Sequence, residues 1–150
     1  MRIRSYQASD CSALAELFYE TVHSINRKDY TENQIDAWAS KEIDLDRWNL
    51  SFQAHETVVC IDGNGIVGFG DIAADGYLDR LYVHKDYQRK GVASMLCDVL
   101  ESATEALTIT THASITAKGF FEKRGYRVIS ENQVVRKGVV LTNYTMKKRK

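Results

Sequence analysis

YLDRLYVHKDYQRKGVASMLCDVLESA, Tyr77 to Ala103, reads as a strand, a short polar loop and a helix that opens on Arg89-Lys90-Gly91-Val92-Ala93-Ser94. The strand part is rich in β-branched and aromatic residues, and period-two alternation predicts Tyr77, Asp79, Leu81 and Val83 on one face. The helical part repeats apolar residues at Val92, Met95, Leu96, Val99, Leu100 and Ala103, a stripe of period 3.6. The first turn of a helix leaves backbone N–H groups without partners, and the macrodipole adds partial positive charge there. Acidic residues usually fill that position, yet here it carries Arg89 and Lys90. Two cations on a positive helix end call for an anion between them. Gly91 lets a phosphate approach the backbone with no Cβ in the way, and Ala93 keeps the next turn open. The competing reading is a solvated basic loop with an ordinary glycine, because short glycine motifs arise often by chance.

Around this stretch the composition sets bounds. A chain of 150 residues suits one domain with a single core, and 44% hydrophobic with 27% charged residues is the balance of a globular protein. Lys plus Arg and Asp plus Glu are equal at 20 each, so no global field recruits nucleic acid or an anionic membrane. Cys11, Cys60 and Cys97 lack metal-ligand spacing and read as buried, reduced thiols. No apolar run has the length of a signal peptide or a membrane span, which makes the cytoplasm the expected compartment.

Upstream, Met1 to Gln7 reads as a strand, and Ser9 or Asp10 can cap a helix striped by Leu14, Leu17, Phe18, Thr21, Val22 and Ile25. Thr31-Glu32-Asn33-Gln34 is a capping box for a second helix through Ile35, Trp38 and Ala39. Ile43 to Phe52 is a third short helix or an ordered loop. Glu56–Ile61 and Ile66–Ala73 are strands joined by Asp62-Gly63-Asn64-Gly65, and Asp75-Gly76 turns into the central strand. Downstream come a strand over Leu107–Ala113, a helix capped by Ser114 and stopped at Gly125, and a hairpin around Arg136-Lys137-Gly138. The tail Lys147 to Lys150 reads as a frayed, solvated end. The order is β-α-α-β-β-β-α-β-α-β-β, an α+β mixed sheet.

Gln88-x-x-Gly91-x-Ala93 after Leu81-Tyr82-Val83 resembles the acetyl-CoA signature Q/R-x-x-G-x-G/A of the GNAT (GCN5-related) N-acetyltransferase superfamily. Ala117-Lys118-Gly119-Phe120-Phe121-Glu122-Lys123-Arg124-Gly125-Tyr126 is similar to that family's A-x-x-F-Y-E-K-x-G-F segment. With the element order, the resemblance spans most of the chain. It implies one GNAT domain over residues 1–150, with a mostly antiparallel sheet, splayed central parallel strands and helices on both faces. It implies acetyl-CoA as acyl donor, its pantetheine arm along Leu81, Tyr82 and Val83 and its pyrophosphate on the amides of Arg89, Lys90, Gly91, Val92, Ala93 and Ser94, with Gln88, Ser114 and Phe121 also at the cofactor. No metal is needed.

Acyl transfer to an amine requires loss of a proton from an ammonium of pKa about 10, stabilisation of the carbonyl oxygen, and departure of a thiolate. Asp79, an acid on the central strand, is the first candidate for the base, against a plain salt bridge to a neighbouring strand; Glu56 and His23 are weaker alternatives. The Val83 amide is the expected oxyanion donor. Where many members of the family have the Tyr of F-Y-E-K to protonate the thiolate, this chain has Phe121. Tyr82, Tyr126 and Ser114 remain as hydroxyl donors, Tyr126 more as a packing residue, and water is the further alternative because a thiolate of pKa near 8.5 leaves unaided.

The acceptor is expected on the N-terminal helices, where Tyr30, Gln34 and Trp38 are the candidate contacts; Trp48 reads as core filling. Aromatic rings with few acids suit a flat or apolar ligand, or a cation held by ring faces. These features give an N-acetyltransferase acting on a primary amine of a small molecule or peptide. The alternative is a non-catalytic CoA-binding or regulatory module that lost its acid at Phe121. Neither reading involves nucleic acid or membrane, and both are compatible with a homodimer.

Overall fold

In the computed structural model, which describes residues 1–150, the chain runs β1 (Arg2–Ser5), α1 (Cys11–Ser24), α2 (Glu32–Trp38), α3 (Leu45–Ala54), β2 (Glu56–Asp62), β3 (Gly65–Ile72), β4 (Tyr77–Val83), α4 (Val92–Ala103), β5 (Thr108–Ser114), α5 (Ile115–Lys123), β6 (Arg127–Arg136) and β7 (Val139–Arg149). The Thr31 capping box forms as its residues dictate: Thr31 Oγ1 accepts from the Gln34 amide at 3.3 Å and Gln34 Oε1 from the Thr31 amide at 2.9 Å. The segment that reads as helix or loop is α3, started by Asp44, whose carboxylate accepts from the Arg47 amide. Ser114 caps α5 by accepting from the Ala117 amide at 3.1 Å.

The seven strands form one sheet in the order β1-β2-β3-β4-β5-β7-β6, antiparallel everywhere except between β4 and β5. The parallel contact is confined to Tyr77↔Thr110 and Leu78↔Thr111. Thr111 Oγ1 donates to the Leu78 carbonyl at 2.8 Å and marks the last point of attachment. Beyond it the two strands part.

Each face of the sheet carries its own apolar cluster. Under α4 and α5 lie Leu78, Val83, Leu96, Leu100, Ile109 and Phe121. Under α1 to α3 lie Leu14, Phe18, Val22, Phe52, Phe69 and Leu141. Two glycines let α4 settle onto β3: a Cβ at Gly68 would stand 2.8 Å from Val92 Cγ1, and one at Gly70 2.8 Å from Leu100 Cδ1. That close approach fixes where the start of α4 sits relative to the strand ends.

β4 departs from the expected alternation. Asp71 pairs with Arg80 but Ile72 with Leu78, so Asp79 is an extra residue in β4. The Arg80 amide donates to Asp71 Oδ1 at 3.0 Å, which stabilises the bulge from the side. Tyr77, Asp79, Arg80 and Tyr82 therefore share one face, while Leu78, Leu81 and Val83 pack toward α4. The C-terminal tail also differs from expectation. Lys147 to Arg149 complete β7, Lys148 Nζ reaches Glu101 Oε1 at 3.2 Å, and the Lys150 amide donates to the Leu107 carbonyl at 2.9 Å. Ion pairing and backbone bonds hold what charge alone suggests would fray. The three cysteines are buried and free, and burial pushes the Cys97 thiol up to about 12, leaving it unreactive.

Candidate active site

The parted strands β4 and β5 leave backbone groups without a ladder partner. On the β3 side the His84 amide donates to the Val67 carbonyl at 2.8 Å. Backbone direction alternates along an antiparallel pair, so Tyr82 and His84 turn toward β3 while Leu81 and Val83 turn toward the gap left by β5. The Val83 carbonyl is taken there by Gln88 Nε2 at 2.7 Å and by Thr21 Oγ1 at 3.3 Å. That leaves the Leu81 N–H and C=O and the Val83 N–H facing a cleft of about 730 Å³ between β4, β5, α4 and α5. Tyr82 thus does not offer the main-chain bonds expected of it.

At the mouth of this cleft the loop before α4 is bent by two left-handed residues, Arg89 at φ 58° and Gly91 at φ 83°. A left-handed conformation at a bulky residue costs about 1–2 kcal/mol, a strain that persists where surrounding structure requires the shape. A Cβ at Gly91 would meet nothing within 4 Å, so the open side of this turn faces space rather than packing. Arg89, Gly91, Val92, Ala93 and Ser94 line the cleft. Lys90 does not; its ammonium lies over the Tyr87 ring, 5.2 Å from the centroid. Gln88 lines the cleft but spends its amide on Val83 and His84, fastening the loop to the strand end. Phe121 is buried at the cleft wall, in edge contact with Tyr126.

On the opposite face of the sheet a second cavity of about 340 Å³ lies under α1, α2 and α3, closed at one side by β6 and β7. Its rings include Phe18, Tyr30, Trp38, Trp48, Tyr77 and Tyr82. Trp48 is therefore more than core filling: it walls the cavity while packing on Phe18 and Phe52. Tyr30 contributes its ring only, because its hydroxyl donates to the Thr142 carbonyl at 2.7 Å and accepts from the Ile115 amide at 2.9 Å. Gln34 lies outside; it completes the α2 cap and donates to the Val140 carbonyl.

Five residues line both spaces: Trp38, Asp79, Tyr82, His112 and Ser114. The bulge puts Asp79 there, and the period-two alternation of β5 puts His112 and Ser114 there, opposite Ile109 and Ala113 in the core. Asp79 touches only Arg80 Nη1, at 3.6 Å. His112 Nδ1 lies 3.1 Å from the Tyr77 hydroxyl and is otherwise exposed. Ser114 Oγ uses a lone pair to cap α5 and keeps its proton to give. Burial pushes the Tyr82 phenol up, so it stays protonated at neutral pH. His112 went unnoticed in the sequence; its only signal is an isolated histidine two residues before the helix cap.

Other candidates stand apart. Tyr126 is buried, and its hydroxyl donates to Glu101 Oε2 at 2.7 Å in a network with Arg124 and Lys148 on the far side of α4. Burial and Glu101 together hold that phenol far up, and it lines neither cavity. His23 stacks on Tyr19 and contacts the Ala39 carbonyl, and Glu56 is exposed at the start of β2. Beneath Asp79, the fully buried Asp71 binds Arg80 Nη1 at 2.6 Å and His55 Nδ1 at 2.8 Å. His55, Asp71 and Asp79 lie within 4.8 Å of one another, the spread of a metal set, but the cation among them is the Arg80 guanidinium.

Residues 26–148 match the sequence profile of the acetyltransferase (GNAT) domain. The chain is 35% identical over 147 residues to the uncharacterised N-acetyltransferase YafP of Escherichia coli, covering 98% of this chain and 95% of that protein. The crystal structure of a GCN5-related N-acetyltransferase from Rhodopseudomonas palustris superposes with a TM-score of 0.94 at 33% identity, over 99% of this chain and 95% of that one. PaiA N-acetyltransferase from Thermoplasma acidophilum, solved with coenzyme A, shares the fold with a TM-score of 0.77 at 18% identity, over 99% and 98% of the two chains.

Proposed function

The chain belongs to the GNAT acetyltransferase family and is an acetyltransferase, and from that premise we propose that it moves an acetyl group from acetyl-CoA directly to an amine held in the aromatic cavity. The observation that carries this reading is the junction: only where the two spaces meet can a thioester in one reach a nucleophile in the other, and five side chains bound that point.

The cleft fits the donor by its chemistry. The free Leu81 and Val83 backbone groups present a strand edge to an amide-bearing arm, and the amides of Gly91 to Ser94 at the start of α4 present donors and partial positive charge to a pyrophosphate. The donor supplies an activated acyl carbon and a thiolate leaving group. Asp79 receives the ammonium of the acceptor, since its carboxylate makes no hydrogen bond and its one ion pair, with Arg80 Nη1 at 3.6 Å, is shared with Asp71. Proton removal falls to Asp79, with His112 across the junction as the second group able to accept it. The Val83 N–H, unpaired and aimed into the cleft, stabilises the carbonyl oxygen as it gains charge. Ser114 Oγ–H and the protonated Tyr82 are the hydroxyls that can meet the thiolate in place of the hydroxyl missing at Phe121.

Calorimetry with acetyl-CoA, followed by thiol release against a panel of amines, tests this directly. Saturable binding with amine-dependent release is expected. Failure to bind acetyl-CoA would remove the proposed cleft, and binding without release on any amine would remove the transfer.

A further inference from the structure

The charges around the aromatic cavity do not suit a simple amine. Its wall has one carboxylate, Asp79, and two guanidiniums, Arg80 and Arg136. Arg80 is already neutralised from behind by Asp71 and is held under the Trp48 and Phe52 rings at 5.1 and 4.8 Å. Arg136 is different. It is the last residue of β6, at the rim of the cavity, and it makes no ion pair and no side-chain hydrogen bond. It stands close enough to Tyr77 for its charge to act on that phenol. An acceptor carrying only ammonium groups would be met by Asp79 and repelled by Arg136, and a polycation more strongly still.

The volume narrows the choice further. At about 340 Å³ the cavity sits at the small end of the range of ligand pockets. That suits one ring with short substituents. The ring faces of Trp38, Trp48 and Tyr82 favour a flat body over a flexible chain.

We propose that the acceptor is a compact primary alkylamine that carries an aromatic ring and a carboxylate, its amine at Asp79 and its carboxylate on Arg136. This rests on the acetyl-transfer reading above and adds to it a substrate class and a residue that determines specificity. A planar guanidinium matches a carboxylate through two parallel hydrogen bonds, a match an ammonium gives less well and an amide not at all.

The test compares L-phenylalanine with phenethylamine, which lacks only the carboxylate, and with spermidine, using the full chain and acetyl-CoA. Wild type should prefer L-phenylalanine over phenethylamine by about tenfold or more in kcat/KM, the scale of one charge-assisted hydrogen-bonded pair. Arg136→Gln should raise KM for L-phenylalanine and bring the ratio close to one, and Arg136→Lys should restore part of it. A preference for phenethylamine or spermidine, no turnover of L-phenylalanine, or an unchanged ratio in Arg136→Gln would overturn the proposal. Parallel acetyl-CoA calorimetry separates the two readings. Loss of donor binding sinks both, whereas donor binding with transfer only to carboxylate-free amines sinks this one alone.

Discussion

Asp71 Oδ2 lies 2.6 Å from Arg80 Nη1, with the carboxylate fully buried in β3 and the guanidinium forming part of the wall of the aromatic cavity. Burial pushes the Asp71 carboxyl up, and Arg80 and His55 oppose that shift. The same carboxylate accepts from the Arg80 amide, so one buried acid both shapes the β4 bulge and anchors the side chain that follows it. Removing one partner of a buried pair leaves the other uncompensated. Asp71→Ala should therefore lower stability by about 3 kcal/mol, read as a fall in the urea midpoint, and should lower turnover by freeing Arg80 to engage Asp79.

Gly91→Val should separate cofactor binding from folding. The added Cβ meets no neighbour within 4 Å, so the cost to stability comes from the left-handed backbone, about 1–2 kcal/mol. Acetyl-CoA affinity, measured by calorimetry, should fall at least about tenfold if the proposed phosphate site is at this turn, because the branched Cβ would then block the approach of a phosphate to the backbone. Retained affinity would move the phosphate site elsewhere.

Ser114→Ala should do two things at once. Loss of the α5 cap costs about 1 kcal/mol of stability. If Ser114 also meets the leaving thiolate, kcat falls by about a hundredfold, the low end of what proton transfer contributes, while KM for acetyl-CoA moves little. Ser114→Thr, which keeps the hydroxyl, should recover both. A drop in melting temperature without a drop in kcat would leave Ser114 as a cap alone.

Asp79→Asn and His112→Gln, compared by pH–rate profiles, identify the base. The base must be unprotonated to act, so wild-type kcat/KM should fall on the acid side, and that limb should flatten in the variant that lost the group responsible. Asp79→Asn is expected to flatten it and to raise KM for the amine. If only His112→Gln does so, the proton passes to the imidazole, and Asp79 serves to hold the ammonium.

Glu101 gives a stability prediction whose sign can be worked out. Burial pushes its carboxyl up, but hydrogen bonds from Arg124, Tyr126 and Lys148 outweigh burial and hold it below the ordinary value. A lowered folded value means stabilisation present above the unfolded pKa of about 4.3 and lost as pH falls through the folded value. Glu101→Gln should be less stable than wild type by about 2 kcal/mol at neutral pH, and the two should converge in acid below about pH 4. A gap that stays constant down the titration would mean that the contribution is packing rather than charge.

Much of this architecture can be read from local chemistry. The Thr31 box, the Asp62–Gly65 hairpin and the Ser114 cap each rest on short-range rules, and each forms; of the α4 stripe Val92, Leu96 and Leu100 are buried, joined by Cys97, while Val99 and Ala103 are exposed. Readings failed where a residue's role is set by a distant partner. Asp79 and Arg80 share a face because of Asp71, nine positions before Arg80 and on another strand. Gln34, Lys90 and Tyr126 carry polar groups of the right type but spend them on a cap, a ring and Glu101. His112 stands in a strand without any local motif and Arg136 reads only as the start of a hairpin turn, and only the folding of β5 and β6 around the cavity gives them a place there. Trp48 reads as core filling but is a half-buried part of the cavity wall, since periodicity cannot tell a packed wall from a packed core.

The parting of β4 and β5 beyond Leu78 and Thr111 has one more consequence. A sheet interior normally has its hydrogen bonds made at folding, whereas here a short internal seam is left open within a sheet otherwise laced on both sides. A ligand that zips this seam acts as an eighth, non-protein strand. The amide protons of Leu81 and Val83 should then exchange with solvent quickly in the free protein and slowly with donor bound, while those of Tyr82 and His84, already laced to β3, stay slow in both. The protein would in that sense finish folding each time it loads its donor, and unzip the same seam to release the spent thiol.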